Sequence, residues 1–277
     1  MIRRTLALSA LTAALFIQPT LAEEADTSKR FTAERVFDIE YAGDPQISPD
    51  GKTIIYVRHY MDKMTDRDTG QLWTINLDTG AHRPLVTGTP ATSPRWSPDG
   101  SRLIYSTAGS DGKPELRLLY LDTGRSFSLA QFQEGPGETV WSPDGKKVAF
   151  SMFVPGEKPS FAKPPAPPEG ANWNAGVKVI DDLTFRFDGA GYLEDGASQV
   201  FVLTVDGGTP RQVTSGEASM SGPEWLDNDT LLVSGNAAED RDLDPIESEI
   251  YAVELSDLSV RPLTSRDGPG FDPTVSP

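Results

Sequence analysis

No cysteine occurs in the 277 residues, and there are only two histidines. The first absence excludes disulfide scaffolds, thiolate metal sites, cysteine nucleophiles and thiol redox chemistry. The second excludes a His-rich metal centre. Positive charge is also scarce: 25 Lys and Arg stand against 41 Asp and Glu, a net −16, and the basic residues form no block. That balance argues against nucleic acid and anionic membrane surfaces as partners. Turn-formers are abundant, with 25 Gly and 23 Pro beside 37% hydrophobic and 9% aromatic residues. This is enough apolar material for a packed core, and the chain is not of the disordered class.

Residues 1–22 read as a secretory leader. Met1-Ile2-Arg3-Arg4 is a basic start, Thr5 to Ile17 is an apolar run, and Thr20-Leu21-Ala22 places small residues at a cleavage site. The run is short for a membrane span, and no Cys is present for lipid attachment. The mature protein is therefore expected to be exported, periplasmic or secreted, without membrane insertion after signal cleavage. Residues 23–43 are expected to form an N-terminal segment. Within it a short helix from Thr32 to Tyr41 would be capped by Thr32, with Val36 and Phe37 facing inward.

Beyond that segment the sequence repeats. Ser48-Pro49-Asp50-Gly51 returns as Ser97-Pro98-Asp99-Gly100 and Ser142-Pro143-Asp144-Gly145, with a degenerate copy at Trp225-Leu226-Asp227-Asn228-Asp229. Each copy precedes an alternating run such as Arg102-Leu103-Ile104-Tyr105-Ser106. A second punctuation, Asp78-Thr79-Gly80, Asp122-Thr123-Gly124 or Asp206-Gly207-Gly208, follows a further strand-like run. Pro presets φ at the second turn position, Asp bonds nearby backbone, and Gly takes the left-handed conformation that lets the chain reverse. Each unit thus predicts four short antiparallel strands, and one such sheet cannot bury both of its faces alone.

The expected fold is all-β, a β-propeller of four-stranded antiparallel blades, favoured over a sandwich or β-solenoid by the three matched turns. Blades are placed at about 44–90, 91–136, 137–216 with an insertion at 155–195, and 217–266. Residues 267–277 form a truncated blade. Asp272-Pro273-Thr274-Val275-Ser276-Pro277 aligns with Asp44-Pro45-Gln46-Ile47-Ser48-Pro49 and stops before Asp-Gly. About four blades and the start of a fifth leave the ring incomplete, so the chain is expected to be the front piece of a longer protein.

The insertion narrows the reading. Lys178-Val179-Ile180-Asp181-Asp182-Leu183 leads into Arg186-Phe187-Asp188-Gly189-Ala190-Gly191-Tyr192, followed by a strand ending at Asp206-Gly207-Gly208. An acidic run then precedes Ser248-Glu249-Ile250-Tyr251-Ala252-Val253. This pattern, across Phe31 to Pro277, resembles the acylaminoacyl-peptidase-like branch of the prolyl oligopeptidase family of serine peptidases. The resemblance implies a C-terminal α/β-hydrolase domain carrying a Ser-Asp-His triad, with the serine on a Gly-x-Ser-x-Gly elbow. It also implies a propeller that restricts entry to peptide substrates. No Gly-x-Ser-x-Gly occurs here, and neither His59 nor His82 lies downstream of a candidate nucleophile. No catalytic residue is carried over, and this chain alone is expected to be inactive, without cofactor or metal. The expected partners are the hydrolase domain of the same parent chain and peptide substrates.

Arg186, Asp188 and Tyr192, with Trp173, are the candidate contacts to substrate or to the hydrolase domain. The structural alternative is an Arg–Asp pair and a Tyr that pin the insertion to its blade. The proline-rich stretch from Pro155 to Gly170 is expected to be an exposed loop, either a lid or docking surface or a tolerated excursion. Glu239 to Asp244 fails as a calcium loop because Pro245 and Tyr251 stand where Gly and Glu are needed. Trp73, Trp96, Trp141 and Trp225 are assigned to the blade core. The alternative function is a non-enzymatic periplasmic propeller that binds protein partners, like the propeller protein of the Tol system.

Overall fold

The computed structural model describes residues 31–156, 165–174, 179, 180 and 182–276. The leader assigned to residues 1–22 lies outside them, as does part of the proline-rich stretch. A 3₁₀ turn at Ala33–Asp38 comes first. It is shorter than expected and carries no side-chain cap at Thr32. Val36 is exposed, and Phe37 is half-buried beneath Lys63, so the inward helix face is corrected to a surface turn. Tyr41 belongs to the first strand instead.

Four four-stranded antiparallel sheets follow, each with its strands in sequence order. The first holds β1 (Glu40–Ile47), β2 (Thr53–Asp62), β3 (Arg67–Asn76) and β4 (His82–Val86). The second holds β5 (Ala91–Trp96), β6 (Arg102–Ala108), β7 (Pro114–Tyr120) and β8 (Ser126–Gln131). The third has β9 (Thr139–Trp141) and β10 (Lys147–Pro155), then β13 (Gly196–Thr204) and β14 (Arg211–Gln212). A small hairpin, β11 (Arg186–Phe187) and β12 (Gly191–Tyr192), stands between β10 and β13. The fourth sheet holds β15 (Met220–Trp225), β16 (Thr230–Gly235), β17 (Glu249–Glu254) and β18 (Val260–Pro262). These are propeller blades, as the repeats predict.

The serine turns fold as their residues require. Ser48 Oγ accepts the Thr53 N–H at 2.9 Å and donates to Asp50 Oδ1 at 2.6 Å, while Asp50 accepts the Lys52 N–H at 3.0 Å. Ser97 with Asp99 and Ser142 with Asp144 repeat these bonds. Gly51, Gly100 and Gly145 close the turns at φ of 71°, 70° and 65°. The degenerate fourth copy dispenses with the glycine: Asp227 alone accepts from both the Asp229 and Thr230 N–H groups, each at 2.8 Å.

Successive blades stack through apolar clusters. Ile55, Val57 and Leu72 of the first blade meet Leu103, Tyr105 and Leu119 of the second. Ile104, Leu116 and Leu118 meet Val148, Phe150 and Phe201, and Ala149, Val200 and Val202 meet Leu231, Val233 and Val253. Three tryptophans on first strands cross these seams. Trp96, Trp141 and Trp225 donate their indole N–H groups to the carbonyls of Gln46, Arg95 and Val140, at 3.2, 3.1 and 3.3 Å. Trp73 is not their counterpart. It sits on β3, packs on His82 with Arg58 above its ring, and its buried Nε1 has no partner among the described residues.

Candidate functional site

The insertion hairpin turns through Asp188-Gly189-Ala190-Gly191, with φ of 85° at Gly189 and 75° at Gly191. Its two short strands bring Arg186 opposite Tyr192 and Phe187 opposite Gly191. Just outside the hairpin, the Leu193 N–H bonds the Phe185 carbonyl at 2.9 Å, and the Phe185 and Tyr192 rings lie 6.2 Å apart. Where the insertion rejoins β13, the Gly156 N–H bonds the Asp195 carbonyl at 2.8 Å. Gly196 follows at φ of 144°, so close to the Val154 carbonyl that a Cβ there would collide with it.

This arrangement walls a cleft of about 870 Å³ between the hairpin and the ends of the third and fourth blades. Val154, Phe185, Tyr192, Glu194, Gln212 and Arg241 are among its lining residues. Arg241 is held by Glu217 at 2.8 Å. The volume falls in the range of ligand pockets, and the lining is mixed, with Glu194, Asp195, Gln199, Gln212, Glu217 and Arg241 beside the Phe185 and Tyr192 rings.

Of the four residues singled out in the sequence, Tyr192 lines this cleft; Arg186, Asp188 and Trp173 are not part of the lining. All three are exposed, Trp173 by 52%. Arg186 and Asp188 form no ion pair with each other among the described residues, so the pinning pair offered as the structural alternative is corrected. The acidic stretch at Glu239–Asp244 is a surface turn whose Arg241 reaches Glu217, and the described residues contain no cluster of metal-binding side chains.

Both histidines belong to the first blade. His59 Nδ1 lies 3.1 Å from Asp68 Oδ1 and its ring stacks on Tyr41, whose hydroxyl donates to Asp68 Oδ2 at 2.5 Å. The bond from Tyr41, then that from His59, keep the Asp68 carboxyl below the usual range. His82 is the first residue of β4, 2.7 Å from the Tyr56 hydroxyl. Neither has a serine or threonine hydroxyl among these contacts.

One recurrent position was missed in the sequence. Gln71, Glu115, Gln199 and Glu249 stand at the same point near the start of the third strand, six residues before Leu77, Leu121, Val205 and Leu255. Gln199 is 1% exposed, accepts from Thr214 Oγ1 at 2.7 Å and donates to the Gly216 and Ala218 carbonyls at 3.0 and 3.1 Å. Glu249 accepts from the Thr264 hydroxyl and the Arg266 N–H, which hold its carboxyl below the ordinary value. Glu115, Gln199 and Glu249 reach residues on the outer-strand side of the third strand, Gln71 instead reaches Tyr60 on β2, and Gln199 lines the cleft.

A family model described as the dipeptidyl peptidase IV (DPP IV) N-terminal region matches residues 187–277. The uncharacterized peptidase YuxL of Bacillus subtilis is 27% identical over 217 residues, 77% of this chain and 32% of that protein. Dipeptidyl-peptidase 5 of Porphyromonas gingivalis is 30% identical over 131 residues, 47% of this chain and 19% of that protein. A solved acylaminoacyl peptidase, in complex with Z-Gly-Gly-Phe-chloromethyl ketone, superposes with a TM-score of 0.63 at 16% identity, over 83% of this chain and 33% of that one. The family model and the sequence relatives are those of peptidases, with the match falling on an N-terminal region, and the structural neighbour shares the propeller fold. The chain spans about a third of the length of YuxL and of the acylaminoacyl peptidase.

Proposed function

We propose that this chain is the propeller portion of an exported serine peptidase and gates the access of peptides to a C-terminal α/β-hydrolase domain. The observation that carries the reading is the similarity to a peptidase along 77% of the chain, with the chain accounting for only 32% of that relative. The gate works by size. Rigid blades joined through packed seams admit an extended chain and turn away a folded domain. The insertion, with Arg186, Asp188, Tyr192 and Trp173, contacts substrate or the hydrolase domain. Within this division of labour the propeller supplies selection, and the hydrolase supplies nucleophile, base and oxyanion hole. Export rests on the leader-like residues 1–22.

The test uses the complete gene product. It should react with a fluorophosphonate serine probe and hydrolyse short peptide or acyl-aminoacyl anilides, while leaving a folded protein of the same composition intact. Tyr192→Ala should raise KM for longer peptides more than it lowers kcat. Absence of fluorophosphonate labelling, or equal cleavage of folded and unfolded protein, overturns the proposal.

A further inference from the structure

The third blade lacks half of its innermost strand. β10 pairs with β13 along its entire length, from Lys147 opposite Thr204 to Pro155 opposite Gly196. On its other side β9 covers only Val148 to Phe150. In the first blade the innermost strand runs past the level of Phe153, with Glu40 opposite Tyr60. In the second and fourth it ends at Ala91 opposite Thr107 and Met220 opposite Gly235, level with Met152, whereas β10 runs on to Pro155 beyond a shortened inner partner. The cause lies in the sequence. Gly135-Pro136-Gly137 precedes β9 where the other blades carry strand, and only the Gly137 N–H reaches β10, at the Ser151 carbonyl, 2.7 Å away.

Strand parity decides which groups are left over. The Ser142 N–H bonds the Lys147 carbonyl at 2.9 Å, so odd-numbered residues of β10 turn their backbone groups inward. Ser151 is the last of them with a partner on that side. Next come the N–H and C=O of Phe153 and the C=O of Pro155, which no inner strand covers among the described residues. Phe153 is half-buried, and its neighbours Val154, Pro155 and Gly156 line the 870 Å³ cleft.

We propose that this open inner edge, at Phe153 and Pro155, binds the backbone of an extended peptide as an added strand. A donor and an acceptor on one residue, followed two residues on by a second acceptor, match the repeat of an antiparallel partner strand. Other ligands lack that alternation. The peptide gains three backbone hydrogen bonds at most, because Pro155 has no N–H, and its flanking side chains enter the adjoining cleft beside Phe185 and Tyr192. Recognition through the backbone favours unfolded segments of varied sequence, since a folded protein has already used these groups internally. The edge belongs to this chain and stands whether or not the peptidase reading does.

The test is fluorescence anisotropy of a labelled, end-blocked valine–threonine pentapeptide titrated with this chain. Two further peptides carry N-methyl groups on alternate amides, one on the odd set and one on the even set. An added strand requires that one N-methylated set lose affinity roughly tenfold or more while the other binds as before, a single hydrogen bond being worth about that factor. Phe153→Pro removes the inward N–H together with the Phe153 ring, and should weaken binding of the unmodified peptide as well. Equal binding of both N-methylated peptides, or no binding at millimolar peptide, overturns the proposal. Both readouts hold even if the proline variant fails to fold.

Discussion

The Arg102 guanidinium lies over the Trp141 indole, 5.1 Å from the ring centroid, and donates to the Gly145 carbonyl at 3.1 Å. Lys147 repeats the contact one blade later, 5.9 Å from the Trp225 ring and 2.8 Å from the Asn228 carbonyl. In both cases the first residue of a second strand reaches across a seam and holds the next blade by its tryptophan and its turn. Thr53 and Thr230 occupy this position in the first and fourth blades.

These latches should be worth more than surface charges. A cation on an aromatic face contributes about 0.5–2 kcal/mol as it is desolvated, and a hydrogen bond to a carbonyl about 1 kcal/mol. Arg102→Met keeps the aliphatic stem and removes both, so a loss of about 1–2 kcal/mol is expected. The check is a lower urea midpoint with an unchanged m-value.

Trp141→Phe tests the seam from the other side. It keeps the ring in place but leaves the Arg95 carbonyl without the indole N–H now 3.1 Å away. A loss of about 1–2 kcal/mol is expected in the same urea experiment. Ile47 holds the corresponding position in the first blade and is 65% exposed. Ile47→Thr should therefore change stability by less than about 0.5 kcal/mol.

These residues also mark how far the fold could be read from the sequence. The serine turns were legible because their geometry is decided within five residues, by a fixed proline φ, a bonding Asp and a left-handed Gly. Four strands per blade followed from the spacing of those turns. The latch was not legible, because Arg102 and Gly145 belong to different repeats and nothing local to Arg102 marks it as a bridge. The Gln71, Glu115, Gln199 and Glu249 series was present in the aligned strands, but polar residues in an alternating run look solvent-facing until their partners on neighbouring strands and loops are known. At the candidate site, residues 186–192 stood out by resemblance alone, and their hairpin was not read from the sequence. Which ring enters the cleft depended on Phe185 and Tyr192 folding together, a contact fixed by packing rather than spacing. The shortened β9 was legible only in part: Gly135-Pro136-Gly137 is poor strand sequence, but its consequence appears on β10.

Acid should weaken the turns in a defined window. Bonds from Ser97 Oγ, then from the Ser101 hydroxyl and N–H, with Arg102 nearby, lower the Asp99 carboxyl from 3.8 to about 2. Its folded pKa lies below its unfolded one. The stability it contributes is complete above the unfolded value and is lost as pH falls from about 3.8 towards 2. Asp50 and Asp144 shift the same way, each chiefly through its own serine. Chemical denaturation at pH 6 and pH 2.5 should show a smaller loss for Asp99→Asn than for the parent chain. An identical loss would mean that this carboxylate is not what acid attacks.

Burial moves Glu224 the opposite way, raising its carboxyl although it accepts the Val275 N–H. A raised folded pKa means that the contribution is favourable at low pH and is lost as pH rises through the folded value. Glu224→Gln removes that charge while keeping an acceptor for the Val275 N–H. The variant should be more stable than the parent at pH 8 and lose the advantage by pH 4. A gain that persists unchanged at pH 4 would point to packing instead of charge.

Two glycines separate backbone strain from crowding. At Gly51, φ is 71° and a Cβ would meet no atom within 4 Å, so Gly51→Ala bears only the left-handed penalty, about 1–2 kcal/mol. Gly51→Asn should recover much of that, because Asn tolerates the conformation. At Gly70 the backbone is not left-handed, but a Cβ would lie 2.6 Å from Val57 Cγ1 and 3.1 Å from the Ala91 carbonyl oxygen across the first seam. Gly70→Ala must therefore separate the first two blades or displace Val57, and Asn there cannot help. Thermal denaturation of the four variants should show Asn rescuing position 51 and worsening position 70. Rescue at both positions would mean that the first seam is loose enough to absorb a side chain, and that the two glycines are kept for the same reason.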